Sequence, residues 1–377
     1  MTKHKILFIS SWFPNKLEPT NGNFVQRHAE AVSLKHDVEI LHTIGDFNQD
    51  KIYLIDEKII NEIRTVIVYY KNSKNPLLNF ARRMNAYKKG FSKMQFPDLV
   101  HCNVLHNNML FAVYLKKKFK IPYVVTEHWT ALRKINENKT STIIKRTAAF
   151  IGNQAEFVLP VSKDLLLGLK NLGIKCNLKV IPNVVDTELF SPQINTDSAF
   201  TFIHISNLIP RKNADKILKV AINLLKEGYD FKLQIGGDGD FSELKKIVEK
   251  ENLNHIIDVF GIQTLPQVAK RMHDSDCFIL FSNDENQPCV IAEAFASGLK
   301  VISTNVGGIS EFFPKDFGIL LEKAEENLLK EAMMKILGSD KNYNRSLLKT
   351  YAENIFSKEK ISEEFSKVYE EVLKTQS

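Results

Sequence analysis

The stretch Cys277-Phe-Ile-Leu-Phe-Ser-Asn-Asp-Glu-Asn-Gln-Pro-Cys-Val-Ile-Ala-Glu-Ala-Phe-Ala-Ser-Gly298 decides the fold of this chain. Its five apolar residues from Cys277 to Phe281 predict a buried strand. A polar loop follows, and residues 290–297 have the spacing of a helix. A further apolar run, Val301–Ser303, predicts the next strand. Strand, helix and strand in this order indicate a right-handed βαβ unit with parallel strands.

Short apolar runs alternate with amphipathic runs along most of the chain. Strands are predicted at residues 6–10, 38–41, 66–70, 99–101, 123–126, 157–160, 180–181, 202–206, 232–236, 257–260, 277–281, 301–303 and 319–321. Helices are predicted at residues 24–34, 77–94, 107–119, 164–172, 214–226, 242–251, 266–273, 290–297, 325–337, 344–352 and 358–373. Two successive runs of βαβ units indicate two Rossmann-like α/β domains.

The boundary between the domains is expected in the polar segment 191–198, which contains Pro192 and has no periodicity. This gives an N-terminal domain at residues 1–190 and a C-terminal domain at residues 191–357. Ligands of open parallel sheets bind beyond the carboxyl ends of the strands, so the two domains are expected to face each other across a cleft. Functional residues should therefore follow strands, on loops or at helix starts.

The composition is that of an ordinary globular protein. The 377 residues are 44% apolar and 25% charged, which excludes a disordered, collagen-like or disulfide-scaffold protein. No run approaches the ~20 apolar residues that span a bilayer, and the apolar run Ile6–Ile9 is too short for a signal peptide. The four cysteines, at positions 102, 176, 277 and 289, lack metal-ligand spacing and are expected to be free thiols in a reducing cytoplasm.

Charge is divided unevenly between the two halves. The net charge of +7 combines +12 in residues 1–190 with −5 in residues 191–377. The basic clusters are Arg82–Arg83, Lys88–Lys93, Lys116–Lys120 and Lys145–Arg146. They form either a solvated helix surface or a contact surface for an anionic membrane or an anionic substrate. No recognition-helix, RNA-reading or zinc-finger pattern accompanies them, so nucleic acid is not expected as a partner.

Two carboxylates frame the start of the helix that follows Phe281. Glu285 lies on the predicted loop and Glu293 lies eight residues later, within the helix. A carboxylate accepts two hydrogen bonds, which suits a vicinal diol on a sugar. The free backbone N–H groups at the helix start suit a phosphate. On spacing alone, two solvated acids beside a capped helix are an equally good interpretation.

This pattern resembles a known family. Glu285-x7-Glu293, followed by Ala294-x-Ala-x-Gly298 and the run Val301–Gly308, resembles the retaining glycosyltransferases of family GT4, which have the GT-B fold. The resemblance covers nearly the whole chain. Its other landmarks are the Gly22 loop, Thr126–His128, Pro182–Asp186 and the basic pair Arg211–Lys212. It also implies that the helix at residues 358–377 packs back on the N-terminal domain.

The resemblance assigns roles around the two glutamates. Glu293 would bind the ribose hydroxyls of a nucleotide-sugar donor, and Glu285 would hold hydroxyls of the donor sugar. Relatives often have Glu-Gly-Phe-Gly at the first glutamate, whereas this chain has Pro288, which has no N–H. Contacts to the diphosphate would then come from the amides of Cys289 and Val290.

A basic segment follows the first strand of the C-terminal domain. By the resemblance, Lys212 neutralises the departing diphosphate, and Asn207 stands where relatives have an arginine. The adjacent Arg211 is the candidate to replace that arginine. Replacing Lys212 by alanine is therefore predicted to lower kcat strongly and to leave the fold intact. The alternative is a solvated Arg–Lys pair.

Four further positions carry weaker signals. Gly237, in a glycine-rich turn after a strand, and Gly22, before the first helix, let the backbone approach a ligand closely. The resemblance places Gly22 near the diphosphate, Ile262 against the base and His128 near the reacting sugar. A plain strand–helix turn is an equally good interpretation of the sequence around Gly237.

The function implied is transfer of a sugar, with retention, from a UDP- or GDP-linked donor to an acceptor hydroxyl. The pathways expected are those of cell-surface polysaccharide, lipopolysaccharide or glycolipid synthesis. No Asp-x-Asp motif follows a strand, which fits a transfer that needs no metal and no cofactor besides the donor.

The partners expected are a nucleotide-sugar donor and a glycan or lipid-linked acceptor. The basic half suggests a cytoplasmic enzyme attached peripherally to the inner face of the membrane. Two alternatives stay open. One is a nucleotide-sugar epimerase of related fold, and the other is a non-catalytic nucleotide-sugar-binding protein, which Asn207 keeps in consideration.

Overall fold

A computed structural model describes residues 2–192, 199–339 and 343–374. They form two compact units. The first contains the described residues up to Val184 and those from Lys358 onward, and the second is Val185–Ser357. Most of the segment predicted as the boundary, residues 193–198, lies outside the described residues. The division comes earlier, where the N–H of Val185 donates to the carbonyl of Phe356 in the second unit (2.9 Å).

The first unit is built on an eight-stranded sheet. Its strands are β1 (Lys5–Ser10), β2 (Asp37–Asp46), β3 (Tyr53–Ile60), β4 (Ile63–Lys71), β5 (Leu99–Asn103), β6 (Tyr123–Glu127), β7 (Phe157–Pro160) and β8 (Asn177–Leu178). Its helices are α1 (Asn23–Ser33), α2 (Pro76–Phe91), α3 (Leu110–Phe119), α4 (Thr142–Gln154), α5 (Lys163–Asn171) and α12 (Lys358–Lys374). The strand order is β3-β4-β2-β1-β5-β6-β7-β8, and every pair is parallel except β3 with β4.

Both faces of this sheet are buried. Successive side chains of a strand point to opposite faces of the sheet, and in the central strands both sets are apolar. Along β1, Leu7 and Ile9 enter the core formed with α2, α3, α4 and α5. Ile6 and Phe8 enter the opposite core, formed with α1 and α12.

Helix α12 completes the core of the first unit, as the sequence predicted. Its apolar stripe includes Phe365 and Tyr369, both fully buried against the sheet. The Tyr369 hydroxyl and the Nδ1 of His101 lie 2.6 Å apart, and Nε2 of His36 lies 2.9 Å from the hydroxyl of Ser366. Polar and apolar contacts thus fix the position of this helix.

The second unit is a six-stranded parallel sheet with helices. Its strands are β9 (Thr201–Asn207), β10 (Lys232–Asp238), β11 (Ile257–Phe260), β12 (Cys277–Leu280), β13 (Lys300–Thr304) and β14 (Gly318–Leu321). Its helices are α6 (Ala214–Lys226), α7 (Ser242–Lys250), α8 (Leu265–His273), α9 (Cys289–Ala296), α10 (Glu326–Leu337) and α11 (Arg345–Phe356). The order β11-β10-β9-β12-β13-β14 changes direction between β9 and β12. Ligands of doubly wound sheets bind at such a switch point.

Three details differ from the sequence prediction. The edge strand β3, antiparallel to β4, and the helix α4 were not predicted. The strand predicted at residues 180–181 is wrong, because the strand that pairs with β7 is β8, at Asn177–Leu178. Ile181 still donates to the carbonyl of Pro160 (3.1 Å), but Pro182 has no N–H with which to continue the ladder.

Candidate functional site

The loops that follow β9 and β12 are joined by hydrogen bonds at the switch point of the second unit. Asn213, at φ +52°, precedes α6 and donates its side-chain amide to the carbonyl of Phe281 (2.7 Å). The N–H of Asn283 donates to the carbonyl of Arg211 (2.8 Å). These bonds hold the segment containing Lys212 beside the segment containing Glu285.

Lys212 and Glu285, 73 positions apart in the chain, form a buried ion pair. Nζ of Lys212 donates to Oε1 of Glu285, and the two side chains are only 10% and 7% exposed. Burying either charge alone would cost several kcal/mol, so each stabilises the other. The structure brings together two of the residues that the sequence singled out.

Helix α9 starts at Cys289, directly after Pro288 and one residue before the predicted start. Cys289 and Val290 supply the first two N–H groups of the helix, and the N–H of Ile291 already bonds to the carbonyl of Pro288 (3.2 Å). Such N-terminal amides form a site suited to an anion. Glu293 lies in the same helix and is 3% exposed. Cys289, Val290 and Glu293, which the sequence selected for donor binding, therefore lie on one short helix.

Gly237 requires a conformation that only glycine adopts easily. Its φ is +135°, and a Cβ built on it would lie 1.9 Å from the carbonyl oxygen of Ser206 on β9. Any side chain here would push β9 and β10 apart at their carboxyl ends. The glycine thus keeps these strand ends close together, whether or not its backbone touches a ligand.

Three further candidates of the second unit are less enclosed. Asn207, the last residue of β9, is exposed, and Ile262, after β11, is 58% exposed. Arg211 is partly buried, and its Nε is buried without a hydrogen-bond partner among the described residues. The Nε–H of Arg211, next to Lys212 in the chain, can therefore still donate a hydrogen bond.

In the first unit, Gly22 caps the start of α1. Its φ is +76°, and an added Cβ would lie 2.4 Å from the carbonyl carbon of Trp12. The loop after β1 therefore turns tightly into the helix. Trp12 is half-buried at this turn, and its ring centroid lies 6.2 Å from that of Phe24.

His128 follows β6 at the carboxyl edge of the same sheet. Its ring lies 4.2 Å from Phe24 and 5.3 Å from His28, measured between centroids. Burial lowers the pKa of His128 well below its ordinary value, and the neighbouring His28 and His101 lower it further. The imidazole is consequently neutral at physiological pH and suited to hydrogen bonding rather than to carrying charge.

Glu127 is a residue that the sequence analysis did not select. Its carboxylate is fully buried and accepts hydrogen bonds from the N–H groups of Leu105 (2.5 Å), His128 (2.8 Å) and Trp129 (2.6 Å). Burial raises its pKa to about 7, although the three amides oppose this shift. Glu127 therefore joins the loops that follow β5 and β6.

The loop that Glu127 holds contains an unusual backbone conformation. Val104 has a φ of +70°, which is rare for a β-branched residue. Such strain persists only where neighbouring bonds over-determine it. The adjacent Leu105 supplies one of the bonds to Glu127, so the carboxylate acts on the strained turn directly. In the sequence, the only indication of a role for Glu127 was that it precedes His128.

Two kinds of structural feature are absent from residues 2–192, 199–339 and 343–374. In this part of the chain no cluster of three or more His, Cys, Asp or Glu side chains is arranged to hold a metal ion. Nor does any helix there have both the length and the apolar character that a membrane span requires.

Comparison with protein families identifies the chain. A model described as Glycosyltransferase Family 4 matches residues 23–189, and one described as Glycosyl transferases group 1 matches residues 185–354. The chain belongs to the GT4-type glycosyltransferases. The sequence prediction of this family is thereby confirmed.

Two relatives match most of the length of this glycosyltransferase. An uncharacterized glycosyltransferase of Methanocaldococcus jannaschii is 28% identical over 328 residues, which cover 83% of this chain and 87% of the relative. N-acetyl-alpha-D-glucosaminyl L-malate synthase of Bacillus anthracis is 26% identical over 296 residues, which cover 74% of this chain and 75% of the relative.

Solved structures confirm the fold of the glycosyltransferase. Sucrose-phosphate synthase from Thermosynechococcus elongatus superposes with a TM-score of 0.77 at 17% identity, covering 99% of this chain and 100% of that structure. HepE of Anabaena in complex with UDP gives 0.73 at 18% identity, covering 97% and 100%. The predicted GT-B fold, with two parallel-sheet α/β domains, is confirmed.

Proposed function

We propose that this glycosyltransferase transfers a sugar, with retention, from a nucleotide diphosphate sugar to an acceptor hydroxyl without a metal ion. The observation that carries the proposal is the buried Lys212–Glu285 pair, in which Glu285 lies on the loop that leads into α9. A cation and the N-terminal amides of a helix suit a diphosphate, and a carboxylate suits the hydroxyls of a sugar. That HepE has been solved with UDP and with UDP-glucose is further support for a nucleotide-sugar donor.

The roles follow from the chemistry of each group. The second unit is proposed to bind the donor, with Glu293 on the ribose hydroxyls, Glu285 on the donor sugar and Lys212 on the diphosphate. The amides of Cys289 and Val290 add positive partial charge at the helix start. Arg211 is proposed to take the place of the arginine that Asn207 replaces, because its Nε is buried without a partner among the described residues.

In the proposed reaction, the bond from the anomeric carbon to the diphosphate oxygen breaks and a bond to the acceptor oxygen forms on the same face. The acceptor proton passes to the departing diphosphate. Lys212 and the helix amides stabilise the charge that develops on that group, which lowers the barrier most if they are preorganised. His128, whose lowered pKa keeps the ring neutral, is proposed to hydrogen-bond the reacting sugar.

Thermal-shift measurements with UDP-, GDP- and ADP-sugars test the donor proposal. A bound donor at about 100 times its Kd should stabilise the protein by about 2.7 kcal/mol and raise Tm by about 3 °C. Glu293→Gln should weaken binding of the effective donor by about 10- to 100-fold, because a charged hydrogen-bond acceptor is lost. Glu249→Gln, at an exposed site on α7, is the matched control and should bind as the unmodified protein does.

The same samples separate the proposal from its alternatives. Release of nucleoside diphosphate with appearance of a glycosylated product supports transfer. Binding without any release supports a non-catalytic nucleotide-sugar-binding protein, and interconversion of donor sugars supports an epimerase. If none of the donors raises Tm, the proposed donor site is wrong.

We further propose that the basic half of the enzyme binds an anionic membrane that carries a lipid-linked acceptor. Lysines and aromatic rings adjoin on α3 and α4. Nζ of Lys118 lies 5.6 Å from the ring centre of Tyr114 and 5.1 Å from that of Phe119, and Nζ of Lys117 lies 5.8 Å from that of Phe150. Phe150 is 45% exposed. Exposed aromatic rings beside lysines suit the interface of an anionic bilayer.

Sedimentation with phospholipid vesicles checks this surface. The protein should bind vesicles that contain an anionic phospholipid and dissociate as salt is raised, because counterions screen the attraction. Lys117→Glu/Lys118→Glu should reduce binding by about 100-fold or more, at about 1 kcal/mol for each charge near the surface. The control Lys245→Glu/Lys246→Glu makes the same charge change on α7. Equal loss in both variants, or binding to neutral vesicles alone, would contradict the proposal.

A further inference from the structure

The outer strand β3 is an unusually long open edge. It has eight residues, whereas the other outer strands in the described part of the chain have two (β8) or four (β11 and β14). Proteins usually keep such edges short, because a free row of N–H and C=O groups recruits another strand. The length of β3 is therefore a feature that needs a structural explanation.

The exposed side chains of β3 are largely apolar. Ile59 is 76% exposed, Leu54 is 39% exposed and Ile55 is 37% exposed. The neighbouring Ile52 is 54% exposed. An exposed apolar edge of this kind is a site for pairing with another strand.

The bonding pattern shows which groups of β3 point outward. The N–H of Lys71 on the β4 side donates to the carbonyl of Ile52 (2.9 Å), so the backbone of Ile52 faces β4. Bonded and non-bonded positions alternate in an antiparallel pair. The free N–H and C=O groups at the edge consequently belong to Tyr53, Ile55, Glu57 and Ile59.

The sequence of β3 complements itself when two copies run antiparallel about Glu57. Ile55 of each copy then lies opposite Ile59 of the other copy. Asp56 of each copy likewise lies opposite Lys58 of the other copy. The outward-facing residues bond to one another in this register, and the Asp56–Lys58 pairs occupy the non-bonded positions, where side chains are closest.

Other features favour the same register. Each Glu57 on the axis pairs with Arg64 of its own chain (2.8 Å), which it shares with Glu39, so the repulsion between the two Glu57 carboxylates is reduced. A register centred on Asp56 instead would place two Asp56 carboxylates opposite each other, which is unfavourable. Charge thus favours the register about Glu57 over the register about Asp56.

We propose that the β3 edge is an interface between two copies of this chain, which pair antiparallel about Glu57. The two eight-stranded sheets become one continuous sheet. The interface involves none of the residues proposed for catalysis, so the inference is independent of the proposed function.

A charge-reversal experiment tests the pairing and its register together. The unmodified protein should have the mass of a dimer in a dilution series followed by light scattering. Lys58→Asp places two carboxylates opposite each other in each cross-strand pair, and Asp56→Lys places two ammonium groups there. Each variant alone should therefore dimerise about tenfold or more weakly than the unmodified protein. Mixing the two variants should restore a dimer, because each carboxylate then meets an ammonium group.

Controls keep the outcome interpretable. Lys245→Asp makes the same charge change on α7 and should leave the dimer intact. Far-UV circular dichroism should be unchanged in all variants, since Asp56 and Lys58 lie at the surface. A monomeric mass for the unmodified protein at the highest attainable concentration overturns the proposal, and so does a mixture of variants that stays monomeric.

Discussion

Replacing Lys212 by alanine is expected to lower kcat by about 10²- to 10³-fold. In the proposed reaction its ammonium group stabilises the departing diphosphate, and loss of one preorganised charge contact costs about 3–4 kcal/mol in the transition state. Steady-state kinetics with the donor identified by thermal shift measures the effect. Lys216→Ala, four residues later on α6, is the control and should retain full activity. An unchanged kcat in Lys212→Ala would remove this residue from the mechanism.

The structure changes what the same substitution does to stability. The sequence predicted an intact fold, but Lys212 is paired with the buried Glu285. Removing one partner of a buried pair leaves an uncompensated charge and typically costs about 3–5 kcal/mol. Kinetics should therefore be measured well below the Tm of the variant, where it remains folded. Glu285→Gln in the Lys212→Ala background should recover part of the lost stability, because it removes the uncompensated buried carboxylate.

Replacing Glu127 by glutamine is expected to change how stability depends on pH. The pKa of Glu127 is about 7 in the folded protein against about 4.5 for the ordinary side chain. The folded state therefore binds the proton more tightly than the unfolded chain. The resulting stabilisation is complete below pH ~4.5 and is lost as the pH rises through ~7.

Chemical denaturation at several pH values measures this effect. The free-energy difference between the unmodified protein and Glu127→Gln should fall by about 2–3 kcal/mol from pH ~5 to pH ~8. Groups common to both proteins, such as the buried histidines, cancel in the difference. Glu359→Gln, exposed on α12, should give a difference that does not vary with pH. A flat difference for Glu127→Gln would mean that its pKa is not raised.

Glutamine at position 127 also tests the positioning role of the carboxylate. Its Nε2 would face the N–H of Leu105, which places two donors against each other and costs about 1–3 kcal/mol. The loops that carry Val104 and His128 should loosen together. A fall in kcat with little change in donor KM would indicate that Glu127 acts through His128 rather than through the fold alone.

Local sequence patterns predicted the regular elements well, because burial on both faces produces continuous apolar strands. The bounds of β7, β11 and α6 agree with the structure to the residue. Strand β3 was missed because Asp56, Glu57 and Lys58 interrupt its apolar run at an exposed edge. Helix α4 was noted only as a basic cluster at Lys145 and Arg146.

The candidate site was predictable only in part. The spacing of Glu285 and Glu293 and the basic segment at Lys212 follow from motifs, so the sequence could select them. That Lys212 and Glu285 form a buried pair depends on how two loops meet at the switch point, which no local pattern encodes. The role of Glu127 depends on amides from two separate loops, and only the folded chain shows that these converge.

The return of α12 to the first unit has a consequence for biosynthesis. The ribosome makes residues 185–357 before it makes Lys358 onward, which takes about 10–30 s at ordinary rates of translation. During that interval Phe8, Val25 and Ala29 lack the helix that covers them. The core of the first unit is therefore completed only after the second unit has been made, and nascent molecules expose this apolar surface to chaperones until α12 is made.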